Sequence, residues 1–312
     1  MTSAATTHRS VTVRVPAKVN LELKVGPRRP DGFHELSTVY MAVGLHDEVT
    51  VVQADRWSVL VSGPYADQVP RDETNLALRA ARAVGRQVGI DDPLSVLIHK
   101  EIPVAGGMAG GSADAAGALL ACDHLWGLGL PREDLLETAA DLGSDVPFVL
   151  TGGIAVGSGR GERLAPVLAR GTYHWVLAVS PDGLSTPAVY AECDRLRGDA
   201  DVPTPEPTTG MMTALRSGDV KALGAALSND LGDAALSLQT ELGEVLVAGL
   251  EFGAVGGLVS GSGPTVAFLT ESPEAALDLC VSLTASGVAG EVRRAKGPVH
   301  GAHVVAGPST RG

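Results

Sequence analysis

Residues 101–117 read E-I-P-V-A-G-G-M-A-G-G-S-A-D-A-A-G, and this stretch sets the reading of the whole chain. Upstream, Leu94 to Ile102 is aliphatic and β-branched enough to form a strand. Downstream, Ala113 to Trp126 lacks proline and repeats its apolar residues at helical spacing. The glycine-dense segment between them is therefore a strand-to-helix turn. Gly106, Gly107, Gly110 and Gly111 let backbone N–H groups turn inward without a Cβ in the way, and the positive end of the following helix favours an anion. A phosphate cradle is one reading; a close strand–helix approach is the other. A G-x-x-x-x-G-K-[ST] loop is absent, as is a clean G-x-G-x-x-G with its distant acid, so neither common nucleotide fingerprint applies.

Working outward, the chain's 312 residues suggest about two domains. At 45% hydrophobic and 19% charged residues the bulk is globular. A formal net charge of −12 with few aromatics argues against partners such as nucleic acid or an anionic membrane. An anionic substrate would need a local basic pocket. Cys122, Cys193 and Cys280 lie far apart without ligand-like histidines, which points to neither zinc nor disulfides and to a reducing, cytoplasmic setting. The start of the chain has no apolar leader core, and no run is long enough for a membrane helix.

The first portion is β-rich, with strands expected over 10–25 (interrupted at Pro16), 39–54 and 57–62, and a charged loop over 26–32. Residues 75–89 form an amphipathic helix capped by Thr74 or Asn75. After the glycine turn and its helix come a second helix over 133–142 ended by Gly143, a hairpin over 152–167 and a buried strand over 175–179. Residues 198–210, rich in proline, aspartate and threonine, suggest a mobile surface loop. Residues 211–252 are mainly helical, 255–269 form a glycine-punctuated hairpin, 273–286 a helix and 291–305 a strand. The order predicts an α+β fold with two domains, 10–166 and 167–306, and disordered ends at 1–9 and 307–312.

Three segments together resemble the GHMP kinase superfamily: Pro16-Ala17-Lys18-Val19-Asn20-Leu21, the stretch Pro103 to Ala116, and Val259-Ser260-Gly261-Ser262-Gly263-Pro264-Thr265. Arg29-Pro30-Asp31-Gly32-Phe33-His34-Glu35-Leu36 and Gly143 to Phe148 are closer still to the branch that acts on a cytidine diphosphate-linked methylerythritol. The resemblance implies a two-domain fold with the active site in the cleft between its halves. It also implies ATP as phosphoryl donor with Mg²⁺, and a monomer or weak homodimer of the isoprenoid precursor pathway.

By the same resemblance Asp145 is the base and Lys18 its catalytic partner, although Asp145 also suits a cap for a short helix beginning near Pro147. Asn20, two residues from Lys18 on one strand face, would orient the substrate hydroxyl. His34 would bind the cytosine, with Phe33 or Tyr190 as aromatic face, and Thr186 would lie near the substrate. The nucleotide would be held by Pro103, Val104, Ala105, Gly106, Gly107, Met108, Ala109, Gly110, Gly111, Ser112 and Ala113, with Asn75 and Lys100 near the adenine. Ser112 would be the protein's hydroxyl ligand to Mg²⁺. Phe33 stands where tyrosine is usual, Ala109 where glycine is common and Ala113 where serine is common, which leaves Ser112 as the loop's one hydroxyl.

Overall fold

The structure is a computed structural model that describes residues 8–311, with side chains over 9–306. The elements of its first half are β1 (His8–Arg28), β2 (His34–Gln53), β3 (Ser58–Ser62), α1 (Leu76–Val88), β4 (Leu94–His99), α2 (Gly110–Trp126), α3 (Arg132–Leu142), α4 (Val146–Thr151), β5 (Ile154–Gly159) and β6 (Arg163–Pro166). The second half adds β7 (Tyr173–Val179), α5 (Thr186–Arg197), α6 (Thr209–Ser217), α7 (Val220–Ala226), β8 (Ser228–Asn229), α8 (Gly232–Leu238), α9 (Glu241–Glu251), β9 (Gly256–Val259), β10 (Val266–Thr270), α10 (Pro273–Ser286), β11 (Glu291–Gly297) and β12 (His303–Arg311). The mixed order is the α+β class expected.

One sheet runs β12-β1-β2-β4-β3, with β5 continuing from β2, β6 from β5, and β8 beside β1. The other runs β11-β7-β10-β9 and is antiparallel throughout. Strand β1 joins the two cores. Its first part, from Val11 to Leu21, packs with α1 and α2, whereas Leu23 and Val25 pack with Val176, Val189, Leu231 and Phe268. Lys18 and Asn20 sit on this strand just before it passes from one core to the other.

Pro16 does not break β1, because the pairing with β2 shifts register between Pro16 and Ala17, and a bulge is where a strand tolerates a missing N–H. The strand also runs on to Arg28, so the charged loop shrinks to the turn before His34. Helix α2 is buried on nearly every side, as an apolar small-residue helix must be. Its Gly117 lies so close to the sheet that a Cβ there would be 2.8 Å from Val49 and 3.3 Å from Val15 side chains.

Two expectations need correction. The stretch 291–305 is not one strand: β11 belongs to the second sheet, while β12 returns to pair with β1 in the first. Residues 303–306 therefore share the first sheet rather than the second half of the chain. His8, Arg9 and 309–311, placed among the disordered ends, pair along the β1–β12 ladder; residues 1–7 and 312 lie outside the described residues. Residues 198–208 run as the surface loop expected, and two of them, Pro205 and Thr208, touch β1. Pro205 packs against Gly26, where a Cβ would come within 2.7 Å, and the buried Glu22 carboxylate accepts both the Thr208 N–H (2.9 Å) and its hydroxyl (2.7 Å).

Candidate active site

A cleft of about 900 Å³ opens where β1, the glycine turn, the Ser144–Asp145 turn, the 184–191 segment and the Gly261 turn meet. Lys18 enters from β1 and is almost wholly buried. Its ammonium donates to Asn20 Oδ1 (2.6 Å) and to Gly107 O (2.8 Å), and lies 3.7 Å from Asp145 Oδ2. Burial lowers the pKa of this amine; Asp145 acts in the opposite direction and is the smaller influence. Asp145 opens α4, yet its carboxylate caps no backbone N–H of that helix, so the capping role is not the one it takes. Instead its Oδ1 accepts the Tyr40 hydroxyl at 3.0 Å.

Tyr40 stands opposite Asn20 on β2 and stacks on Phe148 at 4.7 Å between ring centroids. Burial, then the Asp145 charge, raises its pKa well above the ordinary phenol value, so the hydroxyl stays a donor. Asn20 spends both ends of its amide inside the protein, accepting from Lys18 and donating to Thr38 Oγ1 at 2.8 Å. It serves Lys18 directly and reaches a substrate only at the cleft wall it lines.

The glycine turn closes over this pair. Ala105, Gly107 and Ala109 all have positive φ (52°, 73° and 62°), and Ala109 leads directly into α2. In the left-handed region an alanine costs about 1–2 kcal/mol, which explains why glycine suits the Ala109 position. Gly107 has no room for a Cβ against Ser260 O of the third motif. Gly261, at φ +57°, lies over Lys18, and Asn229 clamps that turn by donating to Val259 O and Gly261 O, each at 2.7 Å. The third motif is thus a turn fixed over Lys18 and Asn20 and more than a hairpin connection.

Of the residues expected at the nucleotide, Ala105, Gly106, Gly107, Ala109, Gly110, Gly111 and Ser112 line the cleft. Pro103, Val104, Met108 and Ala113 are not among the lining residues; Met108 and Ala113 are fully buried beneath the turn. Asn75 does not face the cleft with a free amide: its Oδ1 accepts from the Ala77 and Leu78 N–H groups and its Nδ2 donates to Pro70 O, so it is the α1 cap. The neighbouring Leu76 takes the place on the wall. Lys100 is likewise turned away, with its ammonium 2.6 Å from Asp47 Oδ2 and 2.8 Å from Asp114 Oδ2 and no exposed surface. Burial raises the Asp114 pKa, with Lys100 opposing it.

The other end of the cleft is built by the turn after β1. Arg29 pairs with Asp31 (2.7 Å) and Glu35 (3.4 Å), and Asp31 accepts the Phe33 N–H (3.1 Å), which turns the Phe33 ring outward. Phe33 is 53% exposed and carries the Arg160 guanidinium 5.3 Å from its centroid. His34 is held by Asp194 Oδ1 at 2.9 Å and stacks on Tyr190 at 5.2 Å. Burial raises the Tyr190 pKa. Thr186 shares a 2.8 Å hydrogen bond with Ser262, so α5 and the third motif meet at the cleft. Arg28 and Arg160 join Lys18 on the walls, providing the local basic region that an acidic protein needs to hold an anion.

Tyr40, Arg28, Arg160, Asp194 and Asn229 were not singled out from the sequence. Tyr40 lies in an apolar strand and reads as core, and the arginines read as solvated surface. Nothing local in the sequence marks Asn229.

The GHMP kinases N terminal domain matches residues 75–153, and the GHMP kinases C terminal family matches 211–289. The 4-diphosphocytidyl-2-C-methyl-D-erythritol kinase of Mycolicibacterium smegmatis is 57% identical over 302 residues, covering 96% of this chain and 94% of that one. That of Streptomyces avermitilis is 56% identical, covering 95% and 100%. A crystal structure of 4-(cytidine 5'-diphospho)-2C-methyl-D-erythritol kinase superposes with a TM-score of 0.72 at 34% identity, covering 91% of this chain and 98% of that one. Near-complete coverage at these identities, on the same cleft-forming fold, settles the assignment: the chain belongs to the 4-diphosphocytidyl-2-C-methyl-D-erythritol kinase family of the GHMP kinases.

Proposed function

We propose that this protein transfers the γ-phosphoryl group of ATP to the 2-hydroxyl of 4-diphosphocytidyl-2-C-methyl-D-erythritol, giving the 2-phosphate and ADP in the non-mevalonate isoprenoid precursor pathway. The observation that carries the reading is the Lys18–Asp145 pair, 3.7 Å apart at the point where the glycine turn and the His34 end of the cleft meet. Phosphoryl transfer asks mainly for alignment, a proton acceptor and charge stabilisation. Asp145 accepts the hydroxyl proton as the new P–O bond forms, held toward the cleft by Tyr40. Lys18 offsets the charge developing on the transferred group while Asn20 and Gly107 O fix its amine.

The triphosphate runs along Gly106 to Ser112 at the start of α2. Mg²⁺ would travel with the phosphates and take the Ser112 hydroxyl as a protein ligand. Ser112 lines the cleft at the start of α2, where a single hydroxyl ligand fits an ion that keeps water and phosphate oxygens. When bound, it neutralises charge on the β- and γ-phosphoryl oxygens. The cytosine sits at His34 between Phe33 and Tyr190, and Arg28 and Arg160 meet the diphosphate. Residues 10–166 and 167–306 then read as the ATP-binding and substrate-side domains, with β12 crossing back to the first sheet, in a cytoplasmic monomer or weak homodimer. Among the described residues no helix is long and apolar enough to cross a membrane.

The test is ADP release by the purified protein. Turnover is expected with the cytidine-linked alcohol and not with mevalonate or homoserine; the reverse preference would overturn the reading.

A further inference from the structure

The turn that holds the triphosphate in this reading is tied at both ends to one buried carboxylate outside the cleft. The β2–β4 ladder stops at Glu48 and His99. One residue beyond, Asp47 takes over with its side chain: Oδ1 accepts the N–H groups of Glu101 (2.7 Å) and Ile102 (2.9 Å), and Oδ2 accepts the Lys100 ammonium (2.6 Å). The same ammonium reaches Asp114 Oδ2 (2.8 Å) in α2. It also packs against the first residue of that helix, since a Cβ on Gly110 would lie 3.0 Å from Lys100 Nζ. Residues 103–109 are thus bracketed, with 100–102 held at the entrance and 110–114 at the exit.

We propose that Asp47 is a positioning residue for the phosphate turn, fixing both of its ends through the 101–102 amides and the Lys100–Asp114 bridge, and so setting affinity for the triphosphate without touching it. The proposal rests on the ATP reading of Gly106 to Ser112. Asp47 and Lys100 are fully buried, Asp114 nearly so, and none of the three lines the cleft. Removing one member of a buried ionic network leaves its partner unpaired, and the chain relaxes to relieve it. The segment free to relax is the glycine turn, whose Ala105, Gly107 and Ala109 already hold positive φ. Asp114 Oδ1 has no hydrogen-bond partner among the described residues, so the bridge has no second route to the β2 strand.

Asp47→Asn separates the contacts. Its one acceptor oxygen can still receive the Glu101 and Ile102 amides, while its NH₂ group faces the Lys100 ammonium and breaks the bridge. Steady-state kinetics should show KM for ATP raised about tenfold or more, with KM for the cytidine-linked alcohol within about twofold of wild type. Equal KM values for ATP in variant and wild type, or a parallel rise in both KM values, would overturn the proposal, because general loosening of the fold does not discriminate between substrates. Should D47N fail to fold, Asp114→Asn weakens the far end of the same bridge and must show the same selective rise, about threefold or more; an unchanged KM for ATP there overturns it too. Thermal stabilisation by ATP is measured alongside. No stabilisation of the wild-type protein would sink the nucleotide reading of the turn, whereas full stabilisation of both wild type and D47N would sink only the role of Asp47.

Discussion

Gly261→Ala tests whether the third motif presses on Lys18. Gly261 has φ +57°, where an alanine costs about 1–2 kcal/mol of backbone energy. Its new Cβ would lie 3.1 Å from Lys18 Nζ, 3.2 Å from Asn20 Oδ1 and 3.3 Å from Gly107 O. All three are inside the ~3.5–4.0 Å of an ordinary contact, so the amine must retreat by roughly half an ångström. It then leaves two short hydrogen bonds, of 2.6 and 2.8 Å, and its alignment with Asp145. Charged hydrogen bonds are worth about 1.5–3 kcal/mol each, and weakening both by half predicts a loss of about 10–150-fold in kcat. Gly89→Ala supplies the control, for Gly89 has φ +71° and nothing within 4 Å of a Cβ. Denaturant titration should show the backbone cost in both variants, with Gly261→Ala up to about 1 kcal/mol worse. ADP-release kinetics should be impaired in Gly261→Ala alone. If the two alanines behave alike in turnover, the Gly261 turn does not govern Lys18.

Two further outcomes follow from single contacts. Tyr40→Phe removes the one hydroxyl on Asp145 Oδ1 and keeps the Phe148 stack; kcat/KM should fall about 10–100-fold, the worth of a hydrogen bond to a charged group, and a change under twofold would remove Tyr40 from the mechanism. Asn229→Ala releases Val259 O and Gly261 O from their clamp; stability should drop by about 1–3 kcal/mol in urea, with kcat reduced as well, and an intact kcat would mean the turn holds its place unaided.

The glycine turn and the K-x-N spacing were legible because they are local: a strand, a turn and a helix in succession, and two side chains on one strand face. Lys18, Asp145, His34 and Tyr190 indeed share a cleft. The side-chain contacts that the sequence hides depend on partners far along the chain. Lys100 is defined by Asp47, 53 residues away, and nothing near it announces a buried bridge. Asn75 carried two readings at once, cap and nucleotide contact; its Oδ1 caps α1, and its Nδ2 goes to Pro70 O. Tyr40 is invisible in an apolar strand because its meaning comes from Asp145, 105 residues later. β12 could not be told from β11 by pattern alone: both are strand-like, and only the sheet each joins separates them. That Glu22, on a distant strand, holds Thr208 at the end of the 198–208 loop could not be read from the prolines before it.

The most direct test of the central claim is Asp145→Asn, measured for turnover and for ATP binding in the same preparation. The amide keeps the shape of the carboxylate and can still meet the Tyr40 hydroxyl, but it cannot take up a proton. Turnover with 4-diphosphocytidyl-2-C-methyl-D-erythritol should fall by about 10²–10⁴-fold, while ATP stabilises the variant as it does the wild type. Near-normal turnover in that variant would contradict the account, because the Lys18–Asp145 pair would then not be where the phosphoryl group is transferred.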